Sequence, residues 1–278
     1  MVDFPDKPHY DVNDLRRVVE ILRSPGGCPW DREQTHQTIR RDLLEETAEL
    51  CEAIDENSTE HMREELGDVL LQVMLHARME EEQGVFSLDD VADGICRKLI
   101  LRHPHVFGDV QVADSAHVLR NWEDIKRREK SQHTTADAMD AVCRTLPGLW
   151  RAEKIQKKAA KAGFDWDEVR QVMDKIREET DELQQAMDNA DAENIREELG
   201  DLLFCIVNAA RKLSVDPEVA IHAACEKYIR RFRHMENAVI SDNLQLKDLT
   251  SHEYMEYYQK ARMELEGKEP PEGFVFSR

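Results

Sequence analysis

The sequence predicts an all-α protein made of two copies of one helical domain. Three observations carry that expectation. The phrase Glu-Leu-Gly-Asp occurs at residues 65–68 and again at 198–201, each time after a Glu-Glu-x-x-Glu cluster. The clusters are Glu45, Glu46 and Glu49 in the first copy and Glu178, Glu179 and Glu182 in the second. Each of these acids, together with Glu65 and Asp68, has its twin 133 positions further on without a gap, which marks a duplicated domain. Charged residues make up 35% of the chain while Gly numbers only 11 and Pro 9, a composition suited to helices with few turns. No segment shows a clean two-residue alternation bounded by turn signals.

The elements follow in order. Leu15, Val18, Val19, Ile21 and Leu22 recur at helical spacing from Val12 to Arg23, and Ser24-Pro25-Gly26-Gly27 stops that helix. Cys28-Pro29-Trp30-Asp31 reads as a loop. A second helix is predicted from about Gln37 to Asp55, then a polar turn, Glu56-Asn57-Ser58-Thr59, then a third helix from Glu60 to Glu82 broken at Gly84. The fourth starts after Ser87, a natural N-cap, and ends before His103-Pro104-His105. A helix from Ala113 to Lys130 closes the first domain, residues 1–130. Residues 131–148, polar and ending in Pro147-Gly148, read as a linker. The second domain, 149–278, repeats the order with helices at about Pro147–Lys161, Trp166–Asn189, Ala192–Leu213, Pro217–Asn237 and Leu249–Glu266. The tail Glu269-Pro270-Pro271-Glu272-Gly273 reads as loose.

Bulk properties exclude several functions. A formal charge of −20 argues against a nucleic-acid groove, which needs a surplus of Lys and Arg on one face. The six cysteines, Cys28, Cys51, Cys96, Cys143, Cys205 and Cys225, include no Cys-x-x-Cys pair and so no zinc-ribbon spacing. The polar, acid-containing start is unlike a secretory signal, and the most apolar stretch, Leu202 to Val207, is far too short for a membrane span. A cytoplasmic protein with reduced thiols is expected.

The repeated acids locate the chemistry. Glu46 and Glu49, like Glu65 and Asp68, stand at i, i+3 and so share one helical face. A short turn makes the two helices antiparallel neighbours, which gathers four carboxylates into one patch. The same holds for Glu179, Glu182, Glu198 and Asp201. A lone Glu-rich face is usually just solvated, but two in-register copies are not explained that way. Like charges this close are either fully wet or filled by cations, and oxygen-only ligands select a hard cation, Mg²⁺, with Mn²⁺ as substitute. Leu199, Leu202, Leu203 and Ile206 are expected to form a buried seam beside the acids. A di-iron bundle would need Glu-x-x-His on two helices. Glu33-x-x-His36 and Asp114-x-x-His117 each occur once and are not repeated.

Metal on a carboxylate patch commonly serves a phosphate substrate, which also needs direct cationic contacts. Lys175 lies one turn before Glu179, and Lys227, Arg230 and Arg231 fall on the fourth helix of the second domain. Their counterparts in the first domain are Asp42, Gly94, Arg97 and Lys98, so two of the four cations are lost there. The second domain is the better equipped for a polyphosphate.

Both acidic signatures, together with Gly27-Cys28-Pro29-Trp30-Asp31 and Arg102-His103-Pro104-His105-Val106-Phe107, resemble the MazG family of nucleoside triphosphate pyrophosphohydrolases across roughly residues 12 to 265. The resemblance implies a helix bundle completed by dimerisation and Mg²⁺-dependent cleavage between the α and β phosphates of an NTP or dNTP, ATP included. It implies that Glu179, Glu182, Glu198 and Asp201 bind metal, with Glu46, Glu49, Glu65 and Asp68 as a second candidate site. Glu178, Glu179, Glu182, Glu198 and Asp201 form the implied catalytic set. Nucleotide contacts are implied at Lys175, Ile176, Arg177, Glu178, Glu179, Asn194, Ile195, Arg196, Glu197, Asp201, Lys227, Tyr228, Ile229, Arg230 and Arg231, with Tyr257 stacking on the base. Some members carry Lys where this chain has Asn194, and Arg196 is the nearby alternative. Relatives acting on dUTP, dCTP or phosphoribosyl-ATP leave base and sugar preference open. The competing reading is a non-enzymatic regulatory protein whose helices are held together by divalent ions. The cations near the second acidic patch favour the hydrolase.

Overall fold

A computed structural model describes residues 4–129 and 133–267. Among these residues the secondary structure is helical and contains no strand, and the chain divides into two compact units, Met1–Lys126 and Arg127–Arg278.

In the first unit, α1 (Val12–Arg23) starts at a capping box in which Asp11 accepts from the backbone N–H of Asp14 and the Asp14 side chain accepts from that of Asp11. Cys28-Pro29-Trp30-Asp31, expected as a loop, opens a short helix, α2 (Pro29–Glu33). Pro29 occupies its first position, where a missing N–H costs nothing. The largely buried Arg23 ties this segment down, donating to the carbonyl oxygens of Asp31 and Gln34 and pairing with Glu82 at 3.0 Å. Gly27 is required here, because a Cβ would meet the carbonyl oxygens of Ile21 and Leu22 at 2.2 Å.

Helices α3 (Arg40–Asp55) and α4 (Thr59–Glu82) form an antiparallel hairpin. Helices α1 and α5 (Leu88–Arg102) pack on α4, and α5 begins at the expected Ser87 cap, completed by Asp90 as a capping box. The core gathers Val19, Ile39, Met74, Leu75 and Met79, flanked by Leu15, Leu70, Leu71 and Leu88. His103-Pro104-His105 opens α6 (Pro104–Phe107), and α7 (Ser115–Glu129) follows.

The stretch expected as a linker contains α8 (Thr135–Asp140), capped by Thr134, with Ala138 and Val142 buried and the helix packed on α9 (Gly148–Lys161). Its short sequence carries too little periodicity to be read as a helix. Helices α10 (Val169–Asp188) and α11 (Ala192–Lys212) form the second hairpin, and α9 packs across α11. Buried Gln156 on α9 donates to the Phe204 carbonyl at 2.8 Å. Helix α10 starts later than expected because Trp166 belongs to a loop tied to α11: the Lys212 ammonium donates to the Trp166 carbonyl, and Arg211 grips Asp165. Helix α12 (Pro217–Ser241) runs four residues beyond its predicted end, since Met235 and Val239 continue its buried stripe. A 3₁₀ turn (Leu246–Asp248) leads into α13 (Ser251–Glu266), which packs on α12 and ends at Gly267 with φ 63°. Residues 269–273, expected to be loose, lie outside the described residues.

The two hairpin turns are built alike. Asn57 and Ala190, 133 positions apart, both adopt left-handed backbone, with φ 55° and 53°. Each is followed by a helix-capping side chain, Ser58 or Asp191. The turn sets the register between the paired helices, and so decides which carboxylates meet.

Candidate metal and nucleotide site

In the second hairpin the carboxylates of Glu179 and Glu182 on α10 and Glu198 on α11 converge, each offering an oxygen within 4.8 Å of the others. The same is true of Glu46 and Glu49 on α3 with Glu65 on α4. Asp201 stands one turn beyond Glu198, exposed, and its charge acts on Glu198; Asp68 acts likewise on Glu65 and Glu46.

The electrostatics show clusters short of positive charge. The Glu198 carboxyl is pushed above its ordinary value by desolvation first, then by Glu182, Glu179 and Asp201. Desolvation and then Glu49 and Asp68 raise Glu65, and desolvation and then Asp68, Glu49, Glu65 and Asp42 raise Glu46. Three oxygen-only ligands, two of them on one helix and the third across the hairpin, fit a hard divalent cation.

Lys175 distinguishes the sites. It lies one turn before Glu179 on α10, with its ammonium 2.6 Å from Glu179 and 2.9 Å from Glu178. Hydrogen bonds to Glu179 and then Glu178 raise its pKa well above the ordinary lysine value. Glu179 is only 5% exposed, so this ion pair borders the packed interior. In the first unit the matching residue, Asp42, adds a further negative charge.

The remaining expected contacts are spread over four helices. Ile176 and Arg177 stand on α10, and the Arg177 guanidinium pairs with Asp174 at 2.5 Å. Asn194, Ile195, Arg196 and Glu197 lie in the first turns of α11, where the Asn194 backbone donates to the capping Asp191. Lys227, Tyr228, Ile229 and Arg230 are exposed on α12. Arg231 is engaged elsewhere: it forms a two-pronged ion pair with Glu266 of α13, at 2.6 and 2.5 Å, and lies against Tyr258. The Tyr257 hydroxyl donates to Asp242, the C-cap of α12, at 2.6 Å. Asp242 is 15 residues beyond Lys227, about 22 Å along the helix axis. The aromatic that meets Tyr228 is Tyr258, with ring centroids 6.0 Å apart.

The expected buried seam is open in one chain. Leu199, Leu203 and Ile206 are 47, 46 and 45% exposed. The packed side of α11 runs instead through Ile195, Glu198, Leu202, Cys205 and Ala209, at helical spacing, so Glu198 belongs to the packed face, Asp201 lies exposed at its edge, and Leu199, Leu203 and Ile206 form an adjacent stripe. Cys205, one turn past Asp201, lies on this packed side, where burial and then Glu179 push its thiol up.

The family model of the MazG nucleotide pyrophosphohydrolase domain matches twice, over residues 34–107 and 167–236. The chain belongs to the MazG family. Each match contains one carboxylate cluster. The nucleoside triphosphate pyrophosphohydrolase/pyrophosphatase MazG of Thermotoga maritima is 45% identical over 90% of this chain and 94% of its own length. The nucleoside triphosphate pyrophosphohydrolase of Escherichia coli K12 is 42% identical over 90% and 97%. That of Mycobacterium tuberculosis is 40% identical over 59% of this chain and 50% of its own. Among the described residues no helix is long and apolar enough to cross a membrane.

Proposed function

We propose that this MazG-family chain hydrolyses nucleoside triphosphates, ATP among them, to the monophosphate and pyrophosphate, and that the second unit carries the activity. The observation that carries this reading is the convergence of Glu179, Glu182 and Glu198 beside a lysine that the first unit replaces with Asp42. The activity for which the relatives are named supports the reaction. Glu179, Glu182, Glu198 and Asp201 would hold Mg²⁺, or Mn²⁺ in its place. When bound, the ion neutralises phosphate charge and lowers the pKa of a coordinated water.

The chain's own residues do the rest. Glu178 stands at the edge of the cluster, exposed, where its carboxylate can orient a water and take its proton for in-line attack at the α-phosphorus. Lys175 restrains Glu178 and Glu179 in the resting state and offers its ammonium to a phosphate when those acids turn to the metal. Lys227 and Arg230, exposed on α12, receive the charge that develops on the departing pyrophosphate. Arg231 holds α12 to α13.

The protein acts as a cytoplasmic homodimer in this reading, with no nucleic acid or membrane partner. The open stripe of Leu199, Leu203 and Ile206, joined by the 40%-exposed Phe204, lies next to the acids and supports burial against a second copy.

Product identification tests the proposal. NTPs and dNTPs are incubated with Mg²⁺ and wild-type, Glu49→Gln or Glu182→Gln protein. Monophosphate and pyrophosphate are expected, lost with Glu182→Gln and kept with Glu49→Gln. Diphosphate plus phosphate would overturn the bond assignment, and loss with Glu49→Gln alone would move the activity to the first unit.

A further inference from the structure

The first unit holds a polar chain that the hydrolase reading leaves unused. His36 Nδ1 lies 2.7 Å from His76 Nδ1, and His36 Nε2 lies 2.8 Å from Oε1 of Glu80. The imidazole rings are 3° from parallel with centroids 5.0 Å apart. A centroid separation that large across so short a contact requires both nitrogens to lie on the line joining the centroids. The rings are therefore coplanar and meet edge to edge through one linear hydrogen bond. A metal ion cannot sit between two nitrogens this close and collinear, since ordinary ligation alone would separate them by about 4 Å along that line.

The chain borders a cavity of about 440 Å³ whose other walls, Leu43, Val73, Ala77, Phe86 and Val91, are apolar. His76 Nε2 is buried without a hydrogen-bond partner. An orphaned buried group of this kind is costly and calls for a reason. The repeat shows that the fold does not supply that reason. In the register that relates the two acidic clusters, His36, His76 and Glu80 correspond to Val169, Ala209 and Leu213. The second unit builds the same hairpin with three apolar residues where the first has three linked polar ones.

We infer that His36, His76 and Glu80 form a proton-controlled latch that fastens the segment before α3 to α4 and opens on acidification. Protonation states dictate this behaviour. The head-to-head bond needs one proton between the two Nδ1 atoms. With both rings neutral, His36 donates through Nε2 to Glu80 and accepts at Nδ1 from His76. One added proton still leaves a single proton in the bond, after a tautomer shift at His76. A second places two N–H groups and two positive charges against each other, and the contact breaks. Among the described residues no competing charge lines the cavity: α3 and α5 contribute Leu43 and Val91, and the loop between α4 and α5 contributes Phe86. The neighbouring acids of α4, Glu81 and Glu82, are held by Arg16, Arg23 and Arg78. Desolvation and then His36 hold the His76 pKa below its ordinary value of 6.5. A histidine depressed in the folded state contributes stability that is complete above about pH 6.5 and lost as pH falls through the folded value.

Hydrogen exchange of the full chain tests the latch. The amides of Thr38 and Ile39, bonded to the Thr35 carbonyl, report on the segment. After correction for intrinsic exchange, their protection is expected to be constant from pH 8 to about 6.5, then to fall by up to tenfold per pH unit. In the triple variant His36→Val, His76→Ala, Glu80→Leu, which installs the second unit's residue types, protection should not depend on pH. Wild-type protection that stays flat to pH 5, or an equal loss in the variant, overturns the proposal. Should the variant not fold, histidine NMR on the wild type decides. Two well-separated protonation steps for the pair support the latch, and two coincident ordinary titrations refute it.

Discussion

The ammonium of Lys175 lies 2.6 Å from Oε1 of Glu179, one turn along α10, and the residue at the same place in the first unit is Asp42. One site thus carries an internal counter-ion while its twin carries an extra acid. Lys175→Met is expected to lower kcat/KM about 100-fold, the scale for losing one charge-directed donor at a reacting phosphate. In the converse change, Asp42→Lys should raise the melting temperature of the metal-free protein and shrink the further rise on adding Mg²⁺, because the first cluster then has its own cation. Scanning calorimetry with and without Mg²⁺ reads this. An unchanged Mg²⁺ response in Asp42→Lys would show that the first cluster binds no ion.

Glu198 gives a prediction with a definite sign. Its folded pKa is raised above the ordinary 4.5, by desolvation first and then by Glu182. A raised carboxyl contributes stability that is present below the unfolded value and lost as pH rises through the folded one. At pH 7 without metal, the ionised Glu198 therefore weakens the fold. Glu198→Gln should melt higher than wild type at pH 7 in chelator and equal to it near pH 4. It should also lose most of the Mg²⁺-dependent gain. A variant that melts lower than wild type in chelator at pH 7 would contradict the electrostatic account.

Arg231 and Lys227 share a helix but are expected to fail differently. The Arg231 guanidinium and the Glu266 carboxylate are 14 and 13% exposed and meet through two parallel bonds. Arg231→Met should cost about 2 kcal/mol of stability, and Arg231→Lys should recover little, since an ammonium cannot reproduce the planar fork. Lys227 is exposed, so Lys227→Met should leave the melting temperature unchanged while lowering kcat/KM. Steady-state kinetics paired with thermal melts separates the two roles. A large rise in KM for Arg231→Lys at unchanged melting temperature would return Arg231 to the nucleotide site.

Much of this organisation was legible in the sequence because the duplication writes it twice. Residues repeated at a fixed offset named the carboxylates, and i, i+3 spacing placed each pair on one helical face. The hairpin between α10 and α11 then follows from a turn too short for any other arrangement. What escaped depends on contacts made far along the chain. Arg231 reads as a free cation until Glu266, 35 residues later, is folded against it. Tyr257 and Tyr258 are adjacent and equally aromatic, and only the packing of α13 on α12 sends one hydroxyl to Asp242 and the other ring to Tyr228. The apolar stripes of α11 illustrate a further limit. Periodicity shows that Leu199, Leu203 and Ile206 share a face, but not whether this chain or a second copy covers it.

Asp165 sets where α10 begins, and its behaviour in acid is the clearest check on that role. Its carboxylate takes Arg211 and Lys212 of α11, and the Arg211 hydrogen bond, the largest influence, holds its pKa at about 2. A depressed carboxyl contributes stability that is complete above the unfolded value of 3.8 and lost as pH falls through the folded value. Asp165→Asn should therefore cost about 1–2 kcal/mol at pH 7, the scale of a hydrogen bond to a charged group. The difference from wild type should stay constant down to about pH 5 and close between pH 3.8 and pH 2. Urea unfolding of both proteins at a series of pH values measures this gap. A gap that persists at pH 2, or none at pH 7, would mean that another contact fixes the start of α10 and with it the placement of Lys175.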